Sequence, residues 1–241
     1  MAGLVDLHCH LLWGIDDGAR TLEDSLDMAR SLSALGFTHV APSPHNRPEY
    51  APRELAEARL VEVQEALRAN GIPLELGRNS ENYLLDETFV AGMGTPSARL
   101  IGPGAYVLVE APYTSPVPAL TEIIFRVKLK GVTPVIAHPE RCMEFSRKGR
   151  AGDAVQAGAV LQLDIGALVG RYGSEAKKLA RTFLDEGLYG IGATDLHGPV
   201  GAREWVGKSL KELRSRTGDR AFEQLMSTTP GRILRGEALE S

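Results

Sequence analysis

Cysteine is scarce in this 241-residue sequence: only Cys9 and Cys142 occur, far apart. Two isolated cysteines exclude a disulfide framework and a cysteine-rich zinc module. Long apolar runs are missing as well. No stretch reaches the roughly 18 apolar residues of a membrane span, so no membrane insertion is expected. Positive charge is not in excess, with 27 Lys and Arg against 31 Asp and Glu and a formal net charge of -4. Without a basic footprint, nucleic acid is not the expected partner. The opening residues lack the basic and apolar regions of a secretory signal, so a cytoplasmic location is expected. No linker-like tract, low-complexity segment or internal repeat divides the chain, and residues 1–241 are expected to form one domain.

What the chain does have is a regular alternation of short β-rich apolar runs and amphipathic stretches. Strands are predicted at Leu4–His8, Phe37–Ala41, Pro73–Leu76, Tyr106–Glu110, Thr133–Ala137, Val160–Asp164 and Tyr189–Ala193. Helical patterns cover Leu22–Leu35, Arg53–Asn70, Ala119–Lys130, Gly152–Ala157, Ser174–Glu186 and Val206–Arg216, with a further helical segment from Arg220. Gly36, Gly71 and Gly131 follow helix ends, where a left-handed C-cap favours a residue without Cβ. Thr21, with Asp24 three residues on, has the spacing of a capping box. Seven β-then-α units joined by short loops imply an α/β fold with parallel strands covered by helices.

The rare residues fall at one end of this pattern. His8 and His10 close the first strand, and alternation puts both rings on one side. His45 lies just after the second strand, His138 after the fifth and His197 after the seventh. Of the six histidines, only His39 sits inside a strand, and it is read as structural. Glu110 closes an apolar strand, Asp195 precedes His197, Glu81 lies shortly beyond the third strand, and Asp16 and Asp17 follow the first. Alone, each has an ordinary explanation: a strand-end histidine is usually a surface residue, Glu110 a solvated terminus, Asp195 a helix N-cap. Jointly they put ligands from several strands at the C-terminal face of a barrel. Imidazole nitrogens with bridging carboxylates suit Zn²⁺, Mn²⁺ or Fe²⁺ better than Mg²⁺.

The blocks Asp6-Leu7-His8-Cys9-His10, Gly14-Ile15-Asp16-Asp17-Gly18-Ala19, Ser43-Pro44-His45, Val135-Ile136-Ala137-His138-Pro139-Glu140-Arg141 and Thr194-Asp195-Leu196-His197 occur in order along the chain. Together they resemble the polymerase-and-histidinol-phosphatase (PHP) superfamily. Within it, the sequence is most similar to the bacterial capsule- and exopolysaccharide-associated tyrosine-protein phosphatases. That resemblance implies a distorted, TIM-like (β/α)₇ barrel holding three divalent ions, Mn²⁺ foremost, with Fe or Zn as alternatives. It implies that His8, His10, Glu81 and Asp195 hold the first ion, and that Glu81 bridges to a second held by Glu110 and His138. Asp17, His45 and His197 hold the third. Arg141 is implied as a phosphate contact and Arg203 as a second positive contact. The implied substrate is a phosphotyrosine protein, namely a bacterial tyrosine kinase of polysaccharide export. One departure stands out: the superfamily's short Gly-x-Glu turn is here Gly77-Arg78-Asn79-Ser80-Glu81, so Glu81 as the bridging ligand requires about two extra residues.

The implied chemistry is phosphate-ester hydrolysis by a metal-activated water. A cysteine nucleophile is excluded, because its loop needs Cys and Arg separated by five residues; Ile15 stands six positions after Cys9 and Lys148 six after Cys142. Three alternatives stay open: a histidinol-phosphate or other small-molecule phosphoesterase, a PHP nuclease, and a non-catalytic metal-binding regulator. The loops Asn46–Ala51, Tyr113–Val117 and Glu144–Arg150 are the candidates for substrate selection.

Overall fold

The computed structural model describes residues 3–83 and 85–239. Nine strand segments run in parallel: β1 (Leu4–Asp6), β2 (Phe37–Val40), β3 (His45–Asn46), β4 (Glu75–Leu76), β5 (Glu81–Tyr83), β6 (Tyr106–Glu110), β7 (Thr133–Ala137), β8 (Val160–Asp164) and β9 (Tyr189–Ala193). They form two sheets, β1-β2-β4 and β3-β5-β6-β7-β8-β9. Backbone bonds from Asp195 N–H to the His8 carbonyl (2.8 Å) and from His10 N–H to the Leu196 carbonyl (2.9 Å) bring the last strand back to the first. A parallel bridge between Cys9 and Leu196 completes the closure.

Nine segments make seven barrel positions because two neighbouring strands are broken at the same level. His39 pairs with Glu75 before the break and His45 with Glu81 after it, an offset of 36 residues on both sides. Residues 41–44 and 77–80 thus leave the ladder together, and the register survives. Bonds from Gly77 N–H to the Val40 carbonyl and from Glu81 N–H to the Pro44 carbonyl tie the two gaps to each other. Glu81 therefore opens a resumed strand, in register with His45, instead of hanging on an enlarged turn. The departure in the sequence has a matching departure in the next strand.

Alternation sorts the core into two layers. Val5, Leu7, Tyr106, Leu108, Val135, Ala137 and Ile191 pack together inside the barrel. Val107, Val109, Ile136, Leu161 and Leu163 face outward into a larger cluster against the helices. These include α1 (Leu22–Ala34), α2 (Arg53–Ala69), α4 (Leu120–Leu129), α6 (Arg150–Gln156) and α8 (Gly173–Asp185). Thr21 and Asp24 form the reciprocal capping box at the start of α1. Gly36, Gly71 and Gly131 take φ of 94°, 65° and 78°, as their helix-end positions require.

Three differences from the sequence reading are local. The first strand stops pairing at Asp6, not His8, because the buried Asp6 carboxylate accepts the His8 and Thr194 N–H groups and replaces the ladder there. The two C-terminal helical patterns merge as α9 (Ala202–Glu223), interrupted at Gly218 with φ 75°. Short α3 (Glu87–Gly92), α5 (Met143–Ser146) and α7 (Ile165–Leu168) carry too few turns to show a helical period. The last helix, α10 (Thr229–Leu234), sends Ile233 into the interior cluster. No helix among the described residues is long and apolar enough to cross a membrane.

Candidate metal centre

Each candidate side chain sits where a strand ends or resumes. Glu110 ends β6, Asp164 ends β8, His138 follows β7, and Asp195 and His197 follow β9; His45 and Glu81 open β3 and β5. Two of them hold strained backbone. His138 (φ 32°) and Asp195 (φ 50°) are, with Ala119, the described non-glycine residues at positive φ. Such conformations cost on the order of 1–3 kcal/mol and persist where surrounding structure imposes them, commonly at functional sites.

The side chains converge on shared points. His8 Nε2 lies 3.3 Å from His10 Nε2, 3.1 Å from Asp195 Oδ1 and 3.3 Å from Glu81 Oε1. His138 Nε2 is 3.1 Å from Glu81 Oε1, and His45 Nδ1 is 2.8 Å from Glu81 Oε2. Asp17 Oδ1 stands 3.3 Å from His45 Nε2 and 3.5 Å from His197 Nε2. Within this cluster, four sets bring one donor atom per residue within 4.8 Å of one another: His10, Asp17, His45 and His197; His8, His138 and Asp195; His8, His10 and Glu81; and His45, Glu81 and Glu110.

The far sides of three of the five rings are held in place. His8 Nδ1 meets Gln162 Oε1 at 2.9 Å, His10 Nδ1 meets Asp16 Oδ2 at 2.8 Å, and His197 Nδ1 meets the Asp195 carbonyl at 2.8 Å. Each partner is an oxygen that can accept a hydrogen bond from Nδ1, which leaves Nε2 facing the cluster. This is the outer arrangement typical of metal-binding imidazoles. Asp16 also accepts the backbone N–H groups of Gly18 and His45, so the two acidic neighbours divide the work: Asp16 braces and Asp17 faces the cluster. A Cβ on Gly18 would overlap the His10 backbone oxygen and Cβ, which is why glycine follows the acidic pair.

The electrostatics ask for a cation. Burial opposes charge on Glu81 and Asp195, yet the surrounding rings, His8 foremost, hold both carboxyls well below the usual carboxylate range. Burial also pushes the His10 ring down, but Asp16 and Asp195 outweigh it and raise its pKa to about 10. His45 rises likewise to about 9 beside Asp17 and Glu81. In the absence of an ion, protons on His8, His10 and His45 supply the positive charge that faces these carboxylates. Asp195 Oδ1 is buried without a hydrogen-bond partner despite its 3.1 Å approach to His8. An orphaned carboxylate oxygen facing converging imidazole nitrogens fits a divalent metal, and the donor set is the nitrogen–oxygen mixture such ions take.

Arg141 reaches the rim from the 3₁₀ turn Pro139–Arg141. It is paired with Asp195, lies 3.2 Å from Asp164, and donates to the Tyr113 hydroxyl at 3.0 Å. The Tyr172 ring centre lies 4.2 Å from its guanidinium carbon. Tyr50 stacks on His45 and Tyr113 on His138, so aromatic rings border the donor cluster. Arg203 is exposed on the first turn of α9 and, among the described residues, makes no hydrogen bond or ion pair with the cluster. His39 is exposed in β2. Glu144, in a loop considered for substrate selection, is buried and accepts the Val117 N–H at 2.9 Å, bracing the neighbouring loop from below. Sequence reasoning missed Gln162, Asp164 and Arg47 as members of the site. The first two had a signal, being polar residues at alternate positions of an otherwise apolar strand; Arg47 lay inside the Asn46–Ala51 loop considered for substrate selection but was not singled out.

Comparison with known proteins agrees with this geometry. The family model described as capsular polysaccharide synthesis, CpsB/CapC, matches residues 4–235. The chain belongs to the CpsB/CapC family. Tyrosine-protein phosphatase YwqE of Bacillus subtilis (strain 168) is 28% identical over 197 residues, covering 80% of this chain and 77% of the relative. Tyrosine-protein phosphatase CpsB of Streptococcus pneumoniae is 20% identical over 245 residues, covering 98% and 100%. A solved chain from the structures of those two proteins, described as unique metal-dependent tyrosine phosphatases, superposes with a TM-score of 0.86 at 24% identity, covering 98% of this chain and 96% of its own. The phosphotriesterase homology protein of Escherichia coli, complexed with phosphate in its active site, shares the fold more distantly, with a TM-score of 0.61 at 12% identity and coverages of 97% and 99%.

Proposed function

We propose that the chain is a metal-dependent protein-tyrosine phosphatase with a trinuclear centre, acting on a bacterial tyrosine kinase of polysaccharide export. The observation that carries the metal assignment is the placement of Glu81. Its Oε1 faces both His8 and His138, rings assigned to the first and to the second ion, while its Oε2 faces His45 and His10. That is the disposition of a bridging ligand. His8, His10, Glu81 and Asp195 would hold one ion, Glu81, Glu110 and His138 a second, and Asp17, His45 and His197 a third. His10 also lies within reach of Asp17, His45 and His197, so the first and third sets share a member.

Bound divalent ions would supply charge neutralisation at the phosphoryl oxygens and lower the pKa of coordinated water towards about 7. The chain's own residues do the rest. Arg141 offers a planar fork of donors matched to phosphate geometry. Asp164 and Asp195 hold that fork, and Tyr113 and Tyr172 flank it. The aromatic border at Tyr50, Tyr113 and Tyr172 suits an aryl phosphate. A phenolic leaving group, with a pKa near about 10, needs little proton donation, which leaves His45 and His197 free to serve as ligands. Both thiols are buried and free, and burial pushes both well above the ordinary thiol range, so neither is a nucleophile.

The test is a substrate panel of a phosphotyrosine peptide, histidinol phosphate and single-stranded DNA, each with Mn²⁺, Fe²⁺ or Zn²⁺ and after chelation, with metal content measured alongside. Mn²⁺-stimulated, chelator-sensitive turnover of the peptide that survives thiol blocking is expected. Preferential turnover of histidinol phosphate would sink the protein-phosphatase reading and leave the metal centre standing.

A further inference from the structure

Arg47 lies two residues past His45 and outside the proposed ligand set. Its guanidinium is ion-paired with Glu110, whose side chain is buried. Glu110 belongs to the set formed with His45 and Glu81, so Arg47 supplies positive charge at a position that set reserves for a cation. The pair is incomplete as a structural salt bridge. One terminal nitrogen contacts the carboxylate, while the buried Nε has no hydrogen-bond partner. The guanidinium carbon also sits 4.1 Å from the centre of the Tyr83 ring, which is half exposed. A cation stacked on a rim tyrosine can give up a carboxylate without entering water alone.

Building on the phosphatase reading, we propose that Arg47 is the stand-in cation of Glu110 in the metal-free protein: a divalent ion displaces it, and the released guanidinium binds the substrate phosphate. The exchange leaves the buried carboxylate facing a cation both before and after the metal binds. It also delivers a second phosphate contact only when the metal is in place, so substrate binds well only to the loaded site.

Mn²⁺ titration calorimetry on the chelated 241-residue chain tests the first half, comparing wild type with Arg47→Gln and Arg47→Lys. Removing the competing charge leaves Glu110 buried and unpaired, so Arg47→Gln should bind the ion at Glu110 on the order of tenfold more tightly. Arg47→Lys keeps the charge and should stay near wild type. A merely disrupted fold would weaken metal binding, so a gain separates the two explanations. In the Mn²⁺-loaded enzyme, Arg47→Gln should raise KM for a phosphotyrosine peptide by about tenfold, the worth of a charge-assisted hydrogen bond. An unchanged isotherm or an unchanged KM overturns the proposal. A tighter isotherm in a protein that turns over no phosphotyrosine would instead support the exchange and refute the phosphatase reading on which its second half rests.

Discussion

At the end where the strands begin, the barrel interior is filled by Val5, Tyr106, Leu108, Val135 and Ile191 and plugged by Ile233 of α10. At the end where they stop, the same interior holds five histidines and four carboxylates within a few ångströms, two residues at positive φ and a double break in the strand ladder. Alternation along each strand makes both ends, and only the residue types differ. The apolar end gains stability from burial. The polar end gathers groups whose desolvation opposes folding and holds them because the rest of the barrel is stable. The comparison teaches that stability and chemistry are segregated along the barrel axis, and each end can be perturbed alone.

The sharpest break is Glu81→Gln, which removes the proposed bridging charge and changes little volume. Loss of at least one bound ion and a fall in kcat of about 10³-fold or more are expected, since metal and electrostatic effects of this size govern phosphoryl transfer. Metal analysis and steady-state kinetics with a phosphotyrosine peptide read this out; full metal content with normal turnover would remove Glu81 from the centre. At the other end, Leu108→Ala should cost about 2–5 kcal/mol of stability, as buried leucines do. Denaturant unfolding measures that cost, and kcat of the folded fraction should stay near wild type. A large drop in kcat would mean the two ends are coupled.

Smaller effects refine the polar end. Asp16→Asn should weaken metal binding by about 10- to 100-fold while retaining the fold, because it loosens the His10 ring without touching the ion. If Asp17→Asn is harmless and Asp16→Asn abolishes binding, the division between brace and ligand is reversed. A further prediction concerns pH. In the chelated protein the His10 pKa is about 10, above the ordinary 6.5. A raised folded-state pKa adds stability that is whole below about 6.5 and is lost as pH climbs through 10. The melting temperature of the chelated protein should therefore fall across pH 6.5 to 10, and that of the metal-loaded protein should fall less. Parallel curves would show that protons do not substitute for the ion.

Much of this was legible before any coordinates. The strands from β6 to β9 lie where apolar runs placed them, and the capping box at Thr21 and the glycine caps hold. The structure gathers His8, His10, Asp17, His45, Glu81, Glu110, His138, Asp195 and His197 into one cluster; their role as ligands is the proposal that metal analysis tests. These features are local or periodic, and a strand end exposes its chemistry in the one-dimensional string. Arg203 is of another kind: it stands six residues past His197, exposed on the first turn of α9, and its role as a phosphate contact rests on the resemblance alone and stays a proposal.

The sequence by itself determined the alternation of strand and helix, the pole at which polar residues collect and the exclusion of thiol chemistry, because each follows from spacing along a few residues. Only the tertiary structure decided that the breaks at 41–44 and 77–80 match, that Glu81 faces His8, His138, His45 and His10, that Asp16 braces and Asp17 faces inward, and that Arg47 meets Glu110. Those facts depend on register between strands and on barrel closure, which join residues dozens of positions apart through backbone pairing that no local pattern encodes.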